Sequence, residues 1–599
     1  MQRSSSAAAA LSSDVVPDEA RSQAYNAANP VTQGRFRGSS RPFRVRSCDP
    51  LAAGELGRSL KVAPALAQIL MHRGFADEPS AREFLSCKLA GLTQPDGMLD
   101  RALAADRLVS AIRRRERIAV FGDYDVDGTT SAVILGGILE QLGGQVSVAV
   151  GNRWLGGYGL SDAALERVLA TRPSLLVTCD CGSSDHERIA EARRRGVDVI
   201  VVDHHLVPAQ PLPALAFLNP HRAECGFGYK GLASAGLVLS LGAAVRAALR
   251  SNLDLRAWLD LVALGTIADV APLDGDNRRL VRAGLQRLAA EDVRPGIAAL
   301  RELAKLRRGP LSAVDVAFRM TPRLNAAGRM ADPELTVSLL RARDIYEARQ
   351  IAARIEQCND DRKATEKRVT EQAIAQVIEI YGEAPSCGVV VAGDDFHRGV
   401  VGITAARIVD RFGVPAIVIG FEGDVGHGSA RTSAGFPLYR AIAQCSDSLL
   451  RFGGHDAAAG MSIERAQLQK FRDLFSAASS RGDQAGLPDH IVDVTLDAEQ
   501  FALPNAADLT QLEPLGAANA EPLFLVQQAR VLEVGSVAGE HLKLELRVGS
   551  RSFRAFGYDM AAVPLQVGDD VRALGNLRPD TWLGGDRVEL RLLEVEAHQ

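Results

Sequence analysis

Between residues 50 and 340, short β-branched runs alternate with longer stretches of helical period. Residues 118–121, 146–150, 175–178 and 197–202 are mostly apolar, the pattern of strands covered on both faces, and each precedes a helix-like stretch. The alternation predicts right-handed βαβ units around a parallel sheet. Sheets of this kind bind ligands beyond the carboxyl ends of their strands, often where strand order reverses. Three of the runs end in charged residues: Asp123 to Asp127, Asp180, and Asp203-His204-His205. The expected site lies at that end of the sheet.

Further along, residues 341–384 are polar with apolar positions at Ala348, Ile351, Ala352 and Ile355, then Val369, Ala373, Val377 and Ile380. That is helical spacing over about ten turns, the pattern of a helix joining two lobes. A second α/β unit is expected over 385–480, with strands at 389–391 and 416–419, a helix over 401–411 and several Gly-rich turns. A Gly/Asp/Gln stretch at 481–486 marks the next boundary. Over 481–599 short runs of period 2 predict a five-stranded barrel of OB type, clearest where Leu542, Leu544 and Leu546 alternate with Lys543, Glu545 and Arg547. The first 48 residues, rich in Ser, Ala and Arg, show no apolar periodicity and read as a disordered tail. The expected order is thus tail (1–48), parallel-sheet domain (49–340), connecting helix (341–384), second α/β domain (385–480) and barrel (481–599).

The chain has 599 residues, long enough for about four domains of roughly 150 residues. With 47% hydrophobic and 24% charged residues it can bury a sizeable core, which excludes wholesale disorder and a small disulfide-stapled scaffold. No run approaches the roughly 18 apolar residues of a bilayer span, and the first residues lack the long apolar centre of a signal peptide. These features predict a soluble, cytoplasmic protein with no membrane partner. The eight cysteines are scattered, so reduced thiols are expected. A net charge of −4 gives no global positive field for nucleic acid, so local clusters must decide that question.

The segment GDYDVDGTT places Asp123, Asp125 and Asp127 at alternate positions just after a strand. In an extended loop that spacing turns them to one side, which is costly without a cation. A calcium-binding EF-hand loop is excluded, because Ala132 and Val133 lie on a buried run where a ligand Glu is needed. Asp180 in TCDCG, His204 and His205 after Asp203, and Asp269 at the end of an apolar helical run add donors to the same sheet end. Acids and imidazoles together point to a divalent metal centre.

GDYDVDG, TCDCG, VVDHH, GTIADVAPL and PRLNAAGR, in this order, resemble the motifs of the DHH phosphoesterase superfamily, and most closely its RecJ branch of single-strand-specific 5′ to 3′ DNA exonucleases. RGVVGITAARI, GSARTSAG and FGGHDAAAG resemble the DHH-associated domain, and EPLGAANAEP the RecJ OB domain. The resemblance spans about residues 50–595. It implies that Asp125 and Asp180 bind one metal and that Asp127, Asp180, His204 and Asp269 bind the other, with Asp180 bridging. Asp123 and His205 are implied close by, one supporting the loop and the other contacting the scissile phosphate, and Arg329 is implied as a third catalytic residue. Related pyrophosphatases have a His where this chain has Phe121, which leaves one ion a ligand short. Two ions, Mn²⁺ or Mg²⁺, would generate hydroxide and neutralise the attacking and leaving oxygens.

For the strand, Arg323, Asn325 and Arg329 sit around what reads as a small-residue turn, and Arg153 and Tyr158 on a second glycine-rich loop. Arginine forks and exposed amides suit phosphodiester oxygens, although surface arginines on loops are common without any ligand. Ser429 and Arg431 match a serine and arginine that hold a 5′-terminal phosphate in the family, and Gly453, Gly454 and His455 match a second binding segment. Ala430 replaces a usual glycine there, acceptable unless the turn needs positive φ. Aromatics are 5% of the chain, so stacking platforms are few, with Tyr158, Phe436 and Phe452 as candidates. The resemblance implies a monomeric exonuclease of repair and recombination that acts on single-stranded DNA alongside a helicase and a single-strand-binding protein. Two other readings compete: a phosphodiesterase for nanoRNA, cyclic dinucleotides or pyrophosphate, which would resemble only the first two lobes, and a noncatalytic scaffold, which would have lost metal ligands.

Overall fold

The computed structural model describes residues 32–37, 41–306, 308–433, 435–480, 489–496, 504–580 and 585–598. Residues 1–31 of the expected tail and the boundary expected at 481–486 lie outside the described residues. The chain divides into two compact units, Lys88–Gly486 with Pro514–Asn519, and Met1–Cys87 with Leu487–Glu513 and Ala520–Gln599.

The first of these units contains the parallel sheet. Strands β1 (Arg117–Gly122), β2 (Gln145–Val150), β3 (Leu175–Cys179), β4 (Asp198–Val202) and β5 (Ala216–Leu218) run parallel in the order β2-β1-β3-β4-β5. β5, only three residues long, was not anticipated. Both faces are covered: Ile118 and Val120 of β1 join one apolar layer, Ala119 and Phe121 the other. Helix α1 (Val126–Gln141) packs on the first face and is buried on nearly every side, so it shows no amphipathic stripe. Chain direction across the sheet reverses between β1 and β3, and the crevice at their carboxyl ends is where the charged residues gather. The turn from β1 into α1 is closely packed. A Cβ on Gly122 would stand 2.2 Å from the Gly128 carbonyl oxygen, and one on Gly128 2.5 Å from the Asp123 nitrogen.

Helices α2 (Ser234–Ala248) and α3 (Leu259–Ala268) flank α1. PRLNAAGR is a helix, not the expected turn: α4 (Thr321–Met330) follows one π-helical turn at Val316–Met320 and buries Leu324, Ala326 and Ala327. Its Asn and Gly are turn residues by local preference, and burial of the small residues overrides that preference.

The long helix α5 (Ile345–Tyr381) has 37 residues. Asp344 caps it by accepting from the N–H groups of Tyr346 and Glu347. Ala348, Ala352 and Ile355 belong to the core of the parallel-sheet lobe, whereas Val369, Ala373 and Val377 belong to that of the next lobe. One helix therefore shares two cores.

The second lobe holds β6 (Val389–Gly393), helix α6 (Val401–Phe412), β7 (Ala416–Glu422), β8 (Val425–Arg431), β9 (Arg451–Gly454) and β10 (Ala458–Glu464). Sheet order is β9-β10-β8-β7-β6, with β6 and β7 parallel and the other pairs antiparallel. GSAR lies in strand β8, where turns were expected. Glycine there makes room, since a Cβ on Gly428 would stand 2.9 Å from Met461 and 3.0 Å from Ile419. Ala430 is a buried strand residue paired with Ile417 and Ala459, so the position needs no positive φ.

In the other unit, β11 (Val494–Leu496) pairs beside a barrel closed by β12 (Leu523–Val537), β13 (His541–Val548), β14 (Arg551–Gly557), β15 (Asp570–Pro579) and β16 (Val588–Ala597). Leu542, Leu544 and Leu546 face its interior as the alternation requires. Two expectations are corrected here. Strand Thr32–Arg35 pairs with Pro42–Val45, which pairs in turn with His490–Val492, and Phe36 and Phe43 enter the apolar cluster of Val492, Leu523, Leu525 and Leu574, so the tail reading does not extend to residues 32–37 and 41–48. The helices Pro50–Leu60, Pro64–His72 and Glu78–Ser86 also belong to this unit, not to the parallel-sheet domain. All eight cysteines are free thiols. Among the described residues no helix is long and apolar enough to cross a membrane.

Candidate metal centre and phosphate pocket

Each carboxylate is delivered by the end of an element. Asp123, Asp180 and Asp203 directly follow β1, β3 and β4, and Asp269 caps the carboxyl end of α3. Asp125 is the N-cap of α1, its Oδ1 accepting from the Gly128 N–H at 3.0 Å. Asp127, in the first turn of α1, accepts at Oδ2 from the Ser234 N–H (2.8 Å) and at Oδ1 from the Ala235 N–H (3.1 Å), the leading amides of α2. The Ser234 hydroxyl donates to Asp180 Oδ1 at 3.0 Å. Asp180 itself sits at φ +63, a left-handed backbone that turns its side chain off the strand and into the crevice.

His204 Nε2 stands 3.2 Å from Asp180 Oδ1 and 3.7 Å from Asp269 Oδ2. Ligand atoms of Asp127, His204 and Asp269 fall within 4.8 Å of one another, as do those of Asp180, His204 and His205. His205 is held on two sides. Its Nδ1 lies 2.7 Å from Asp203 Oδ1, and the Tyr158 hydroxyl, which donates to the Asp180 carbonyl at 3.0 Å, lies 3.1 Å from the same ring nitrogen. Asp203 also accepts from the N–H groups of Ser183, His204 and His205.

The electrostatics call for a cation. Burial, then repulsion from Asp125, pushes Asp123 up to about 8 and Asp127 up to about 7. Burial, then Asp127, pushes Asp269 up to about 8, and Asp180 is raised by burial and by Asp125, Asp127, Asp269 and Asp203. Asp269 also lies at the negative end of a helix dipole. Burial lowers His204 to about 4, leaving the neutral ring with a lone pair to offer. Burial also disfavours charge on His205, but the Asp203 hydrogen bond and charge outweigh it and raise His205 to about 9. Among the described residues, Asp123 Oδ2, Asp180 Oδ2 and His204 Nε2 are buried without a hydrogen-bond partner. Carboxylates and a neutral imidazole with free acceptor atoms, crowded at one point, fit divalent ions. Phe121 is fully buried in the apolar layer on the sheet face and contributes no donor.

Beside this cluster lies a group of arginines from both lobes. Arg153 rests 4.3 Å above the Tyr124 ring, and its charge acts on Asp123. Arg329 donates to the Gly399 carbonyl at 3.0 Å, and burial followed by the charge of Arg153 lowers it to about 10. Arg431 donates to Ser429 Oγ (2.9 Å) and to the Ala430 carbonyl (2.8 Å), and burial and Arg153 lower it as well. A Cβ on Gly402, at the start of α6, would stand 3.0 Å from both Ser429 Oγ and the Arg431 guanidinium. Glycine there lets Ser429 and Arg431 approach the first turn of α6, a helix end whose amides favour an oxyanion.

Not every expected residue joins. The Arg323 fork is occupied, since Nε and Nη2 meet Glu356 of α5 at 2.7 and 3.0 Å and Nη1 donates to the Arg319 carbonyl. It ties α4 to α5 and is withdrawn from the phosphate set. Asn325 is half-buried one turn before Arg329. Gly453, Gly454 and His455 are exposed on or beside strand β9, and His455 Nδ1 accepts from the Ala457 N–H. Phe436 is a core residue and Phe452 packs against the same core, which leaves Tyr158 as the exposed ring among the three stacking candidates. The sequence reading missed Asp203 as the holder of His205, Ser234, and Arg398 with Trp154 and His397, whose rings meet edge-on at 5.3 Å. Arg398 opens the RGVVG motif, the one signal that pointed to it.

Comparison with known proteins agrees with this anatomy. Residues 117–266 match the DHH family, N-terminal domain, residues 385–480 the DHHA1 domain, and residues 492–594 the RecJ OB domain. The single-stranded-DNA-specific exonuclease RecJ of Bacillus subtilis is 33% identical over 92% of this chain and 70% of its own length. That of Escherichia coli is 35% identical over 81% and 86%. The crystal structure of Thermus thermophilus RecJ in complex with Mn²⁺ superimposes with a TM-score of 0.77 at 31% identity, covering 93% of this chain and 80% of that one, and the Mg²⁺ complex with a TM-score of 0.73. With that extent of identity, and with its three domain matches in the same order, the chain belongs to the RecJ family of single-stranded-DNA-specific exonucleases.

Proposed function

We propose that this chain hydrolyses single-stranded DNA from its 5′ end, releasing 5′-mononucleotides, with two divalent ions, Mn²⁺ or Mg²⁺, in DNA repair and recombination. The observation that carries this reading is the meeting, within one compact unit, of a crowded carboxylate–imidazole cluster and a group of arginines that form no ion pair among the described residues. A terminus anchored beside a hydrolytic centre makes an exonuclease. The full set of Asp125, Asp127, Asp180, His204 and Asp269 speaks against a scaffold, and the barrel against a small-molecule phosphodiesterase.

In this reading Asp125 and Asp180 hold one ion, and Asp127, Asp180, His204 and Asp269 the other. When bound, the ions supply hydroxide at neutral pH and neutralise the attacking and leaving oxygens. Ser234 fixes one oxygen of Asp180, and the other, without a hydrogen-bond partner among the described residues, would be open to an ion. Asp203 and Tyr158 orient His205, which offers a donor to the scissile phosphate. Asp123 accepts from the Gly159 N–H at 3.2 Å and thereby holds the Arg153–Tyr158 loop over the site. Ser429, Arg431, Arg329 and Arg153 take the 5′ phosphate, while Asn325, Gly453, Gly454 and His455 follow the backbone. The protein acts as a cytoplasmic monomer, on strands that a helicase exposes and a single-strand-binding protein covers.

The test is digestion of single-stranded and duplex DNA, labelled at either end, with Mn²⁺, Mg²⁺ or chelator. Early release of labelled mononucleotide from the 5′ end of single strands only, abolished by chelator, is expected. Release first from the 3′ end, or activity in chelator, would refute the reading.

A further inference from the structure

Many arginines elsewhere in the molecule are paired with acids, for example Arg294 with Asp260, Arg323 with Glu356, Arg349 with Glu302 and Arg578 with Glu521, and a few, such as Arg101 and Arg301, spend their donors on carbonyls. In the cleft, four that form no ion pair among the described residues gather together. Arg153 lies over an aromatic ring, Arg329 meets a backbone carbonyl, and Arg431 meets a hydroxyl and a carbonyl. Arg398, just before α6, has neither a hydrogen bond nor an ion pair among the described residues. Glu422, the acid whose charge acts on it, does so through space, and His427 and Arg153 face it as well.

The position of Arg398 is set by its neighbours. Gly399 receives Arg329, and His397, whose Nδ1 accepts from the Gly399 N–H at 3.1 Å, packs edge-on against Trp154. Arg398 of the second lobe therefore lies where that lobe meets the Arg153–Trp154 loop and Arg329 of the first. Its Nη2 comes within 3.9 Å of where a Cβ on Gly157 would be, and Gly157 is at φ +86. Burial lowers Arg398, Glu422 raises it in part and Arg153 lowers it again, so a guanidinium without a bonded partner among the described residues faces a second cation. An anion bound between Arg398 and Arg153 would relieve the repulsion that remains.

Four guanidiniums exceed what one phosphodiester requires. An internal phosphate carries a single negative charge, whereas a terminal phosphomonoester carries about −1.5 to −2 at neutral pH and offers three acceptor oxygens. We infer that Arg398 is a further binding residue for the 5′-terminal phosphomonoester and that it sets the preference for phosphorylated over hydroxyl ends. This inference rests on the 5′-exonuclease reading above and adds to it a residue that the serine–arginine motif does not contain.

The experiment uses the full chain with Mn²⁺ and 3′-labelled single strands ending in 5′ phosphate or 5′ hydroxyl, and reads the ratio of the two kcat/KM values. Arg398→Gln is expected to lower that ratio about tenfold, chiefly through KM for the phosphorylated strand, and Arg398→Lys to restore part of it. Arg431→Gln serves as the comparison. If Arg431→Gln collapses the ratio and Arg398→Gln leaves it within twofold of wild type, the inference fails and the exonuclease reading stands. If neither changes it, the 5′ anchor itself is misplaced and both fall. A second measurement needs no variant: 5′-phosphorylated strand, and not its 5′-hydroxyl counterpart, should protect Arg398 from phenylglyoxal, read by mass spectrometry. Equal modification with both strands would overturn the inference.

Discussion

Two acids of the metal centre border left-handed backbone: Asp180 at φ +63 and, after Asp269, Val270 at φ +59, a β-branched residue that is 70% exposed. Such residues are strained, and the strain serves to aim carboxylates. Asn adopts the left-handed region readily and carries no charge, so Asp180→Asn should melt higher than the wild type when both are metal-free, by about 1–3 kcal/mol. The same variant should lose the rise in Tm on adding Mn²⁺ and at least about 100-fold in turnover. A metal-free variant less stable than wild type would show that repulsion is not what dominates there. The pH dependence follows from the same crowding. Asp123, Asp127 and Asp269 titrate at about 8, 7 and 8 in the fold against an ordinary 3.8, so the folded chain holds the extra protons. Stability from this source is complete below about pH 4 and is lost as pH rises through 7 to 8. Chelated protein should therefore show a falling Tm between pH 6 and 8.5, and Mn²⁺-loaded protein should not; a flat profile after chelation would contradict the assignment. The clustered acids were legible from spacing. That Asp203 serves His205 rather than a metal was not, because the partner is set by how β4 ends.

At the scale of elements, α4 and α5 show where local reading stops. The 37-residue helix is written in its apolar period, but the tie between Arg323 and Glu356 spans 33 positions and depends on how the two helices pack. Both side chains are largely buried and meet as a bidentate pair, so Arg323→Ala should cost about 1–3 kcal/mol in urea unfolding. The ratio of activity on phosphorylated and hydroxyl 5′ ends should stay within twofold of wild type. A large fall in that ratio, with stability intact, would return Arg323 to the phosphate pocket. The glycine-rich strands β8 to β10 were hidden for a related reason. Glycine disfavours strands locally, and only the opposing side chains of Ile419 and Met461 give it a place there.

On the scale of the whole molecule, the two compact units do not follow chain order: residues 32–87 belong with the barrel, and the short segment Pro514–Asn519 belongs with the parallel-sheet unit. The Ala517 carbonyl there accepts from the Leu273 N–H at 2.7 Å. Because every proposed metal ligand lies in the latter unit, calorimetry of the intact chain should show two transitions, of which Mn²⁺ raises one. A single transition that shifts as a whole would show that the units unfold together. The sequence by itself determined the parallel sheet, the long helix, the barrel and the acids of the metal centre, because these depend on apolar periodicity and on chemistry carried within single short motifs. Only the tertiary structure decided which arginines meet an acid among the described residues, which unit the N-terminal strands join, and which amide, hydroxyl or ring holds each ligand. Those outcomes rest on contacts between residues tens to hundreds of positions apart, and no local pattern encodes them.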